Sequence, residues 1–156
     1  MTLIVALVIL VAFSAFFSAS ETAFSSLNQI RLKSRAEDGD GSAARVLALS
    51  EKYDKLLSTI LIGNNIVNIG AASIGTILFT HWLGQERGAT MSTLVLTVVV
   101  LIFGEVTPKS LAKEMPETVA TAVSPVLSLL IVLFTPLNWL FTQWKNAAGP
   151  IFGPQQ

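Results

Sequence analysis

Residues 61–73 read Leu61-Ile-Gly-Asn-Asn-Ile-Val-Asn-Ile-Gly-Ala-Ala-Ser73 and combine apolar side chains with several amides. This stretch lies inside an apolar segment of residues 56–80, which is long enough to cross a bilayer as a helix. Three asparagines, Asn64, Asn65 and Asn68, nevertheless occur close together within it. A side-chain amide in hydrocarbon is costly unless it is hydrogen-bonded or ligated. The stretch therefore predicts a membrane helix whose polar face meets polar groups on other helices.

The composition is that of a membrane protein with one compact domain. The 156 residues are 52% hydrophobic and only 13% charged, whereas soluble domains are about 25% charged. A net charge of zero gives no reason to expect a nucleic-acid partner. The absence of cysteine excludes disulfides, thiolate metal sites and thiol catalysis, and the single histidine, His81, argues against an imidazole-rich metal site. Any metal must therefore be held by oxygen.

Three apolar segments predict transmembrane helices, over residues 2–27, 56–80 and 91–113. The third is predicted to be broken near residues 104–108. Pro108 cannot donate to the carbonyl of Gly104, and its ring clashes with that carbonyl. The carbonyl oxygen is then free to face a ligand, as in other broken membrane helices.

The main polar stretch, residues 28–55, contains six lysines and arginines. Asp38-Gly-Asp-Gly41 divides it into two short predicted helices, with Ser42 as the expected N-cap of the second. The other polar loop, residues 81–90, carries Arg87 as its only full positive charge. The positive-inside rule then places residues 28–55 in the cytoplasm and the N-terminus outside.

The last apolar segment, residues 117–145, allows two interpretations. Pro125 and Pro136 divide it, and it is either a fourth crossing or a kinked juxtamembrane helix at the cytoplasmic interface. In the second case the interfacial anchors are Trp139, Trp144 and Lys145. Residues 146–156 are expected to form a linker, because they contain two Gly-Pro pairs.

Three polar clusters are predicted to meet at one depth in the membrane. At a rise of about 1.5 Å per residue, Asn64 lies about 12 Å into the second segment and Glu21 about 9 Å from the end of the first. Glu105 falls near the corresponding end of the third segment. The predicted metal ligands are Ser18, Ser20, Glu21, Gly63, Asn64, Asn68, Gly104 and Glu105.

These groups are hard oxygen ligands, which suit Mg²⁺ or Ca²⁺. Asn65 is left out because it lies about 100° around the helix from Asn64. The structural alternatives are interhelical hydrogen bonds from the asparagines, an ion pair of Glu105 with Lys109, and serine hydroxyls bonded to their own helix.

Three motifs together resemble one family. They are Ser20-Glu-Thr-Ala-Phe-Ser25, Gly63-Asn-Asn-Ile-Val-Asn68 and Gly104-Glu-Val-Thr-Pro-Lys109, in the order and spacing of the transmembrane domain of the CorC/cyclin M (CNNM) magnesium transporters. The resemblance covers nearly the whole chain. It implies an all-α integral membrane fold with three transmembrane helices per subunit, two short cytoplasmic helices and a C-terminal juxtamembrane belt helix. It therefore favours the interfacial interpretation of residues 117–145.

The resemblance also implies a function, namely magnesium efflux through a site between the three helices, coupled to Na⁺ in at least some members. The expected protein is a homodimer in the plasma membrane, in contact with lipid, with its C-terminus in the cytoplasm. The family's CBS modules, which bind ATP, lie outside these 156 residues, so nucleotide regulation is not expected of this chain. The alternative is a non-transporting module that senses magnesium or anchors a cytoplasmic regulator. An enzyme is not expected, because the chain lacks a His-Glu-x-x-His motif and a nucleophile–base pair.

Overall fold

The computed structural model describes residues 1–152, with side chains to residue 149. Every regular element in this part of the chain is helical, as predicted. The elements are α1 (Thr2–Ser25), α2 (Gln29–Glu37), α3 (Gly41–Glu51), α4 (Tyr53–Leu83), α5 (Gln85–Val99), a π-helix (Val100–Val106), α6 (Thr107–Glu114), α7 (Pro116–Leu133) and α8 (Thr135–Phe152).

Within residues 1–152, four helices are long and apolar enough to cross a membrane: α1, α4, the continuous helix Gln85–Glu114 and α7. Helices satisfy their own backbone hydrogen bonds, which is what a bilayer requires of a spanning segment. The chain is therefore a multi-pass membrane protein. α1 packs against α4, the π-helix, α6 and α7, so it lies at the centre of the bundle. Helices α2 and α3 lie at one end of this bundle, called here the α2–α3 side, and Gly84 lies at the other, the Gly84 side.

The predicted loop over residues 81–90 is wrong. Residues 81–83 complete α4, and α5 begins at Gln85, so that Gly84 alone separates the two helices. Gly84 has a φ of 91°, in the left-handed region that glycine enters without steric cost, and this reverses the chain within one residue. The signal for a helix start after Gly84 was the acidic residue Glu86 in the first turn of α5, and it was overlooked within a polar stretch.

The predicted break near residues 104–108 is also wrong, since the helix continues from Gln85 to Glu114. A seven-residue π-helix, Val100–Val106, takes its place, and Pro108 occupies the first turn of α6. A π-helical turn is wider than an α-helical one, and such insertions occur where the α-helical hydrogen-bond pattern is disturbed. The proline is thus accommodated by a change of helix type.

The single juxtamembrane helix predicted over residues 117–145 is instead two helices, α7 and α8, separated at Phe134. Pro136 stands in the first turn of α8, where its missing N–H has no cost, while Pro125 is tolerated inside α7. The predicted linker over residues 146–156 is helical as far as Phe152, and its last four residues lie outside the described part of the chain.

The two short helices predicted within residues 28–55 are present as α2 and α3. The N-cap of α3 is Asp40 rather than Ser42, and its Oδ1 accepts from the backbone N–H groups of Ser42 and Ala43. Arg35 joins this cap to α7, because its guanidinium donates to Asp40 Oδ2 at 2.6 Å and to Glu117 Oε1 at 2.8 Å. These charges fix α2 and α3 against the start of α7.

The charge of Asp40 can be tested separately from its capping oxygen. The Arg35 guanidinium, assisted by the N–H of Ala43, holds the pKa of Asp40 below its usual value. The charged form of Asp40 therefore stabilises the folded state. This stabilisation is fully present above the unfolded-state pKa of about 3.9 and is lost as pH falls through the lower folded-state pKa. Asp40→Asn keeps an N-cap oxygen and removes the charge. We expect it to lower the melting temperature at pH 7, with the difference from the native protein disappearing in acid. A difference independent of pH would contradict the assignment.

Candidate functional site

Two serines of α1 connect the first helix to both of its polar neighbours. Ser14 Oγ donates to Asn64 Oδ1 of α4 at 3.4 Å, and Ser18 Oγ donates to Glu105 Oε1 of the π-helix at 3.2 Å. Ser14 and Ser18 are one helical turn apart, and both are buried. Polar groups from three membrane helices therefore meet on one face of α1.

Glycines allow these helices to come close enough for such contacts. A Cβ at Gly104 would lie 2.9 Å from Ser14 Oγ, closer than real Cβ atoms approach another atom, and 3.3 Å from Ser14 Cβ, which is tighter than most real contacts. Gly63 faces the ring of Phe17 in the same way, between α1 and α4. Close backbone approach at small residues is the usual way in which membrane helices pack. Gly63 and Gly104 thus set the width of the site.

Glu105 has two partners. Besides accepting from Ser18, it forms an ion pair with Lys109 Nζ at 3.5 Å, one turn along the same helix. Its side chain is 26% exposed and that of Lys109 is 44% exposed, so the pair lies at the edge of the site. The ion pair considered as an alternative to a ligand role is therefore present, and it leaves one oxygen of Glu105 directed at Ser18.

The backbone beside the site lacks one donor. At the end of the π-helix the N–H of Thr107 donates to the carbonyl of Ile102, five residues earlier. The next residue, Pro108, has no N–H to donate to the carbonyl of Phe103 or Gly104. Short π-helical segments within α-helices are frequent at functional sites. The turn at Gly104 is therefore a suitable place for a carbonyl that binds a ligand.

Four of the eight predicted ligands come together around Ser14: Ser18, Asn64, Gly104 and Glu105. Ser20 donates instead to the carbonyl of Phe16 on its own helix. Glu21 is partly exposed. Gly63 packs against Phe17, as described above.

Asn68 lies one turn from Asn64 on α4 and borders a cleft between α4 and α5. Its Oδ1 is buried and has no hydrogen-bond partner among the described residues. A buried amide oxygen without a hydrogen-bond partner raises the free energy of the fold. A ligand or a water molecule bound at Asn68 Oδ1 would remove that cost.

Sequence reasoning missed Ser14. A signal was available, because Ser14 precedes Ser18 by four residues in an otherwise apolar run and therefore lies on the same helical face. Hydrogen bonding to Asn64 is not visible from that spacing, since it depends on the packing of α1 against α4.

Most of the possible metal ligands in this site are neutral oxygen atoms. Within the described residues no three Asp, Glu, His or Cys side chains gather in one place. Hydroxyl, amide and carbonyl oxygens together with one carboxylate are ligands for a hard cation.

Comparison with known proteins identifies the family of the chain. The profile of the cyclin M transmembrane N-terminal domain (CNNM) matches residues 5–156. The UPF0053 inner membrane protein YfjD of Escherichia coli (strain K12) is 48% identical over 127 residues, which is 81% of this chain and 29% of that protein. A UPF0053 protein of Haemophilus influenzae is 40% identical over 152 residues, 97% of this chain and 36% of the relative.

The name of a third relative states what that protein transports. The polyamine export protein of Salmonella typhimurium is 30% identical over 155 residues, 92% of this chain and 35% of that protein. The chain spans about a third of the length of these curated relatives. The profile match over nearly the whole chain confirms the resemblance carried by the three motifs, and the chain belongs to the cyclin M transmembrane N-terminal domain family.

Proposed function

We propose that this domain carries Mg²⁺ across the membrane through the site between α1, α4 and the π-helix. The observation that carries the proposal is the pair of contacts Ser14–Asn64 and Ser18–Glu105, which gather oxygen ligands from three membrane helices. Mg²⁺ prefers six oxygens in near-octahedral geometry and keeps some of its water in most protein sites. A single carboxylate with several neutral oxygens suits that preference.

The contacts within the site suggest how a cation enters. Without an ion, the serine hydroxyls donate to Asn64 Oδ1 and Glu105 Oε1 and so satisfy these oxygens. When Mg²⁺ arrives, the hydroxyl hydrogens turn away and the oxygen lone pairs of Ser14 and Ser18 face the ion. The carbonyl of Gly104 adds a further oxygen. Lys109 competes with the cation for Glu105, so separation of this ion pair accompanies binding.

Transport requires access from both sides of the membrane in turn, which membrane transporters achieve by rocking one group of helices against another. The α2–α3 side is the cytoplasmic side in this proposal, because it carries most of the lysines and arginines. The N-terminus is then outside. The proposed direction of transport is export, which is the direction that the family resemblance implies. Coupling to Na⁺ would use Glu21 or Glu105 as the sodium ligand.

The packing of α7 supports three spans with a belt on the cytoplasmic side. At its start, Glu117 pairs with Arg35 of α2. Just after its end, Asn138 Nδ2 donates to Thr59 Oγ1, about 9 Å from the start of α4 at 1.5 Å per residue. Both ends of α7 are therefore near the α2–α3 side, although its length alone would permit a crossing. Val123 and Leu127 belong to one core with Leu32 and Val46 of α2 and α3.

A polyamine is the second candidate cargo, because relatives such as that of Salmonella typhimurium carry the name polyamine export protein. A chain with three or four ammonium groups needs several carboxylates or aromatic faces. The contacts above supply one carboxylate, Glu105, which is shared with Lys109. The geometry thus favours the smaller divalent ion. The same residues are also compatible with a non-transporting magnesium sensor. They are compatible as well with a homodimer in which a second copy of the chain completes the site.

Flux in proteoliposomes tests the proposal. Vesicles containing the protein and a magnesium-sensitive dye should show Mg²⁺ movement, and parallel vesicles should show no comparable spermidine movement. Glu105→Gln should slow Mg²⁺ flux about ten-fold or more, since one lost charged ligand worth about 1.4 kcal/mol corresponds to that factor. Saturable Mg²⁺ binding without flux would favour the sensor, and spermidine flux alone would favour the second cargo.

A further inference from the structure

Two clefts on α5 differ in chemistry. One, of about 570 Å³, lies between α1, α4 and α5 and is lined by aliphatic and aromatic side chains, as expected of a surface that meets lipid. The other, of about 290 Å³, lies between α4 and α5. It is called here the threonine cleft and is defined by its five polar residues, Asn68, Thr76, Ser92, Thr93 and Thr97. Polar groups inside a membrane are energetically expensive, so five of them between two membrane helices indicate a function.

The hydroxyls of the threonine cleft present acceptors. Thr76 donates its hydrogen to the carbonyl of Ala72, Thr93 to that of Ala89, and Thr97 to that of Thr93. A hydroxyl has one hydrogen and two lone pairs, so after this bond each oxygen has only acceptor capacity for the cleft. Asn68 Oδ1, buried without a partner among the described residues, is a further acceptor. A cation or its hydration water is the chemistry that fits such a lining.

One end of the threonine cleft adjoins the candidate site. Val100 lines the cleft, and its Cγ1 lies 3.5 Å from the position that a Cβ at Gly104 would occupy. Asn68 follows Asn64 by one turn on the same face of α4. Thr76 lies about 12 Å further along α4 from Asn68, toward the Gly84 side. The cleft therefore extends from the site toward the end of the bundle opposite α2 and α3.

We propose that the threonine cleft is the water-filled path by which a hydrated cation moves between the candidate site and the Gly84 side of the membrane. The path rests on the proposed function for its cargo. Its water content does not depend on which cation is carried. Two other uses of the same surface are contact with lipid, with every threonine satisfied by its own helix, and contact with a second copy of the chain.

Cysteine accessibility separates these uses, because the chain contains no cysteine of its own. Thr97→Cys and Thr93→Cys place a thiol in the cleft, while the adjacent Val98→Cys and Leu94→Cys place one on exposed apolar positions of the same helix. A cationic, membrane-impermeant methanethiosulfonate reacts with thiolate, which forms in water and is suppressed in apolar surroundings. We expect the cleft thiols to react at least about ten-fold faster than their neighbours, with Mg²⁺ slowing the reaction at Thr97→Cys.

The outcomes are distinct. Equal, slow labelling at Thr97→Cys and Val98→Cys would assign the cleft to lipid and overturn the path. Disulfide-linked dimers of Thr97→Cys that exclude the reagent would assign it to contact between two copies and overturn it as well. Fast labelling of the cleft in a protein that neither binds nor moves Mg²⁺ would support the water-filled path while refuting the proposed cargo.

Discussion

Magnesium binding is expected to be abolished by Asn64→Ala, with the helices still assembled. Asn64 is the α4 residue whose side-chain oxygen meets Ser14 of α1, so its removal takes a ligand from the centre of the site. Loss of a group that only orients a ligand typically costs about 10–100-fold in metal affinity, and loss of the ligand itself should cost at least as much. An interhelical hydrogen bond in a membrane contributes only about 0.6–2 kcal/mol, so the fold should survive.

Asn65→Ala is the matched control for this experiment. Asn65 is exposed and lies about 100° around α4 from Asn64, away from α1. Calorimetric titration of the detergent-solubilised protein with Mg²⁺ should show saturable binding for the native chain and for Asn65→Ala, and none for Asn64→Ala. Equal affinity in all three proteins would refute the site, and a loss in both variants with a lowered melting temperature would assign the asparagines to packing.

The sequence was most informative where polar residues occur inside apolar segments. Asparagines and glutamates within apolar segments marked three helices as sites of contact, and Ser18, Asn64, Gly104 and Glu105 do lie together. The family was recognisable from the same motifs, because they occupy a fixed order and spacing. The long apolar helices followed from the length of the apolar segments.

What could not be predicted depends on backbone geometry and distant packing. Gly84 was one of several glycines, and only its φ of 91° shows that it replaces an entire predicted loop. Pro108 predicted a broken helix, whereas widening to a π-helix accommodates the same proline without a break. The position of α7 depends on Glu117 meeting Arg35 and on Asn138 meeting Thr59, which are contacts across 82 and 79 residues. No local pattern encodes contacts of that range.

Gly104→Ala should damage both stability and magnesium binding, because the added Cβ would lie 2.9 Å from Ser14 Oγ and 3.3 Å from Ser14 Cβ. Rotation about χ1 of Ser14 relieves the contact with Oγ but breaks its hydrogen bond to Asn64. Ser14 Cβ moves only with α1, so α1 and the π-helix must shift apart by a few tenths of an ångström. Overpacking of this kind costs about 1–3 kcal/mol, and the separation also displaces Ser18 from Glu105. The measurements are the melting temperature in detergent and the affinity for Mg²⁺.

Two further variants test whether the contact with Ser14 is the cause: Gly70→Ala is the control, and Ser14→Gly is combined with Gly104→Ala. A Cβ at Gly70 would meet Leu10 Cδ1 at 3.5 Å, an ordinary van der Waals contact, so Gly70→Ala should leave the melting temperature and Mg²⁺ affinity nearly unchanged. Ser14→Gly removes both atoms that the new methyl group would strike. Combined with Gly104→Ala it should restore most of the melting temperature, while binding remains weaker because the Ser14 hydroxyl is gone. If the double variant is no more stable than Gly104→Ala alone, the close approach of α1 to the π-helix is not what Gly104 provides, and its role lies in the backbone of the π-helix itself.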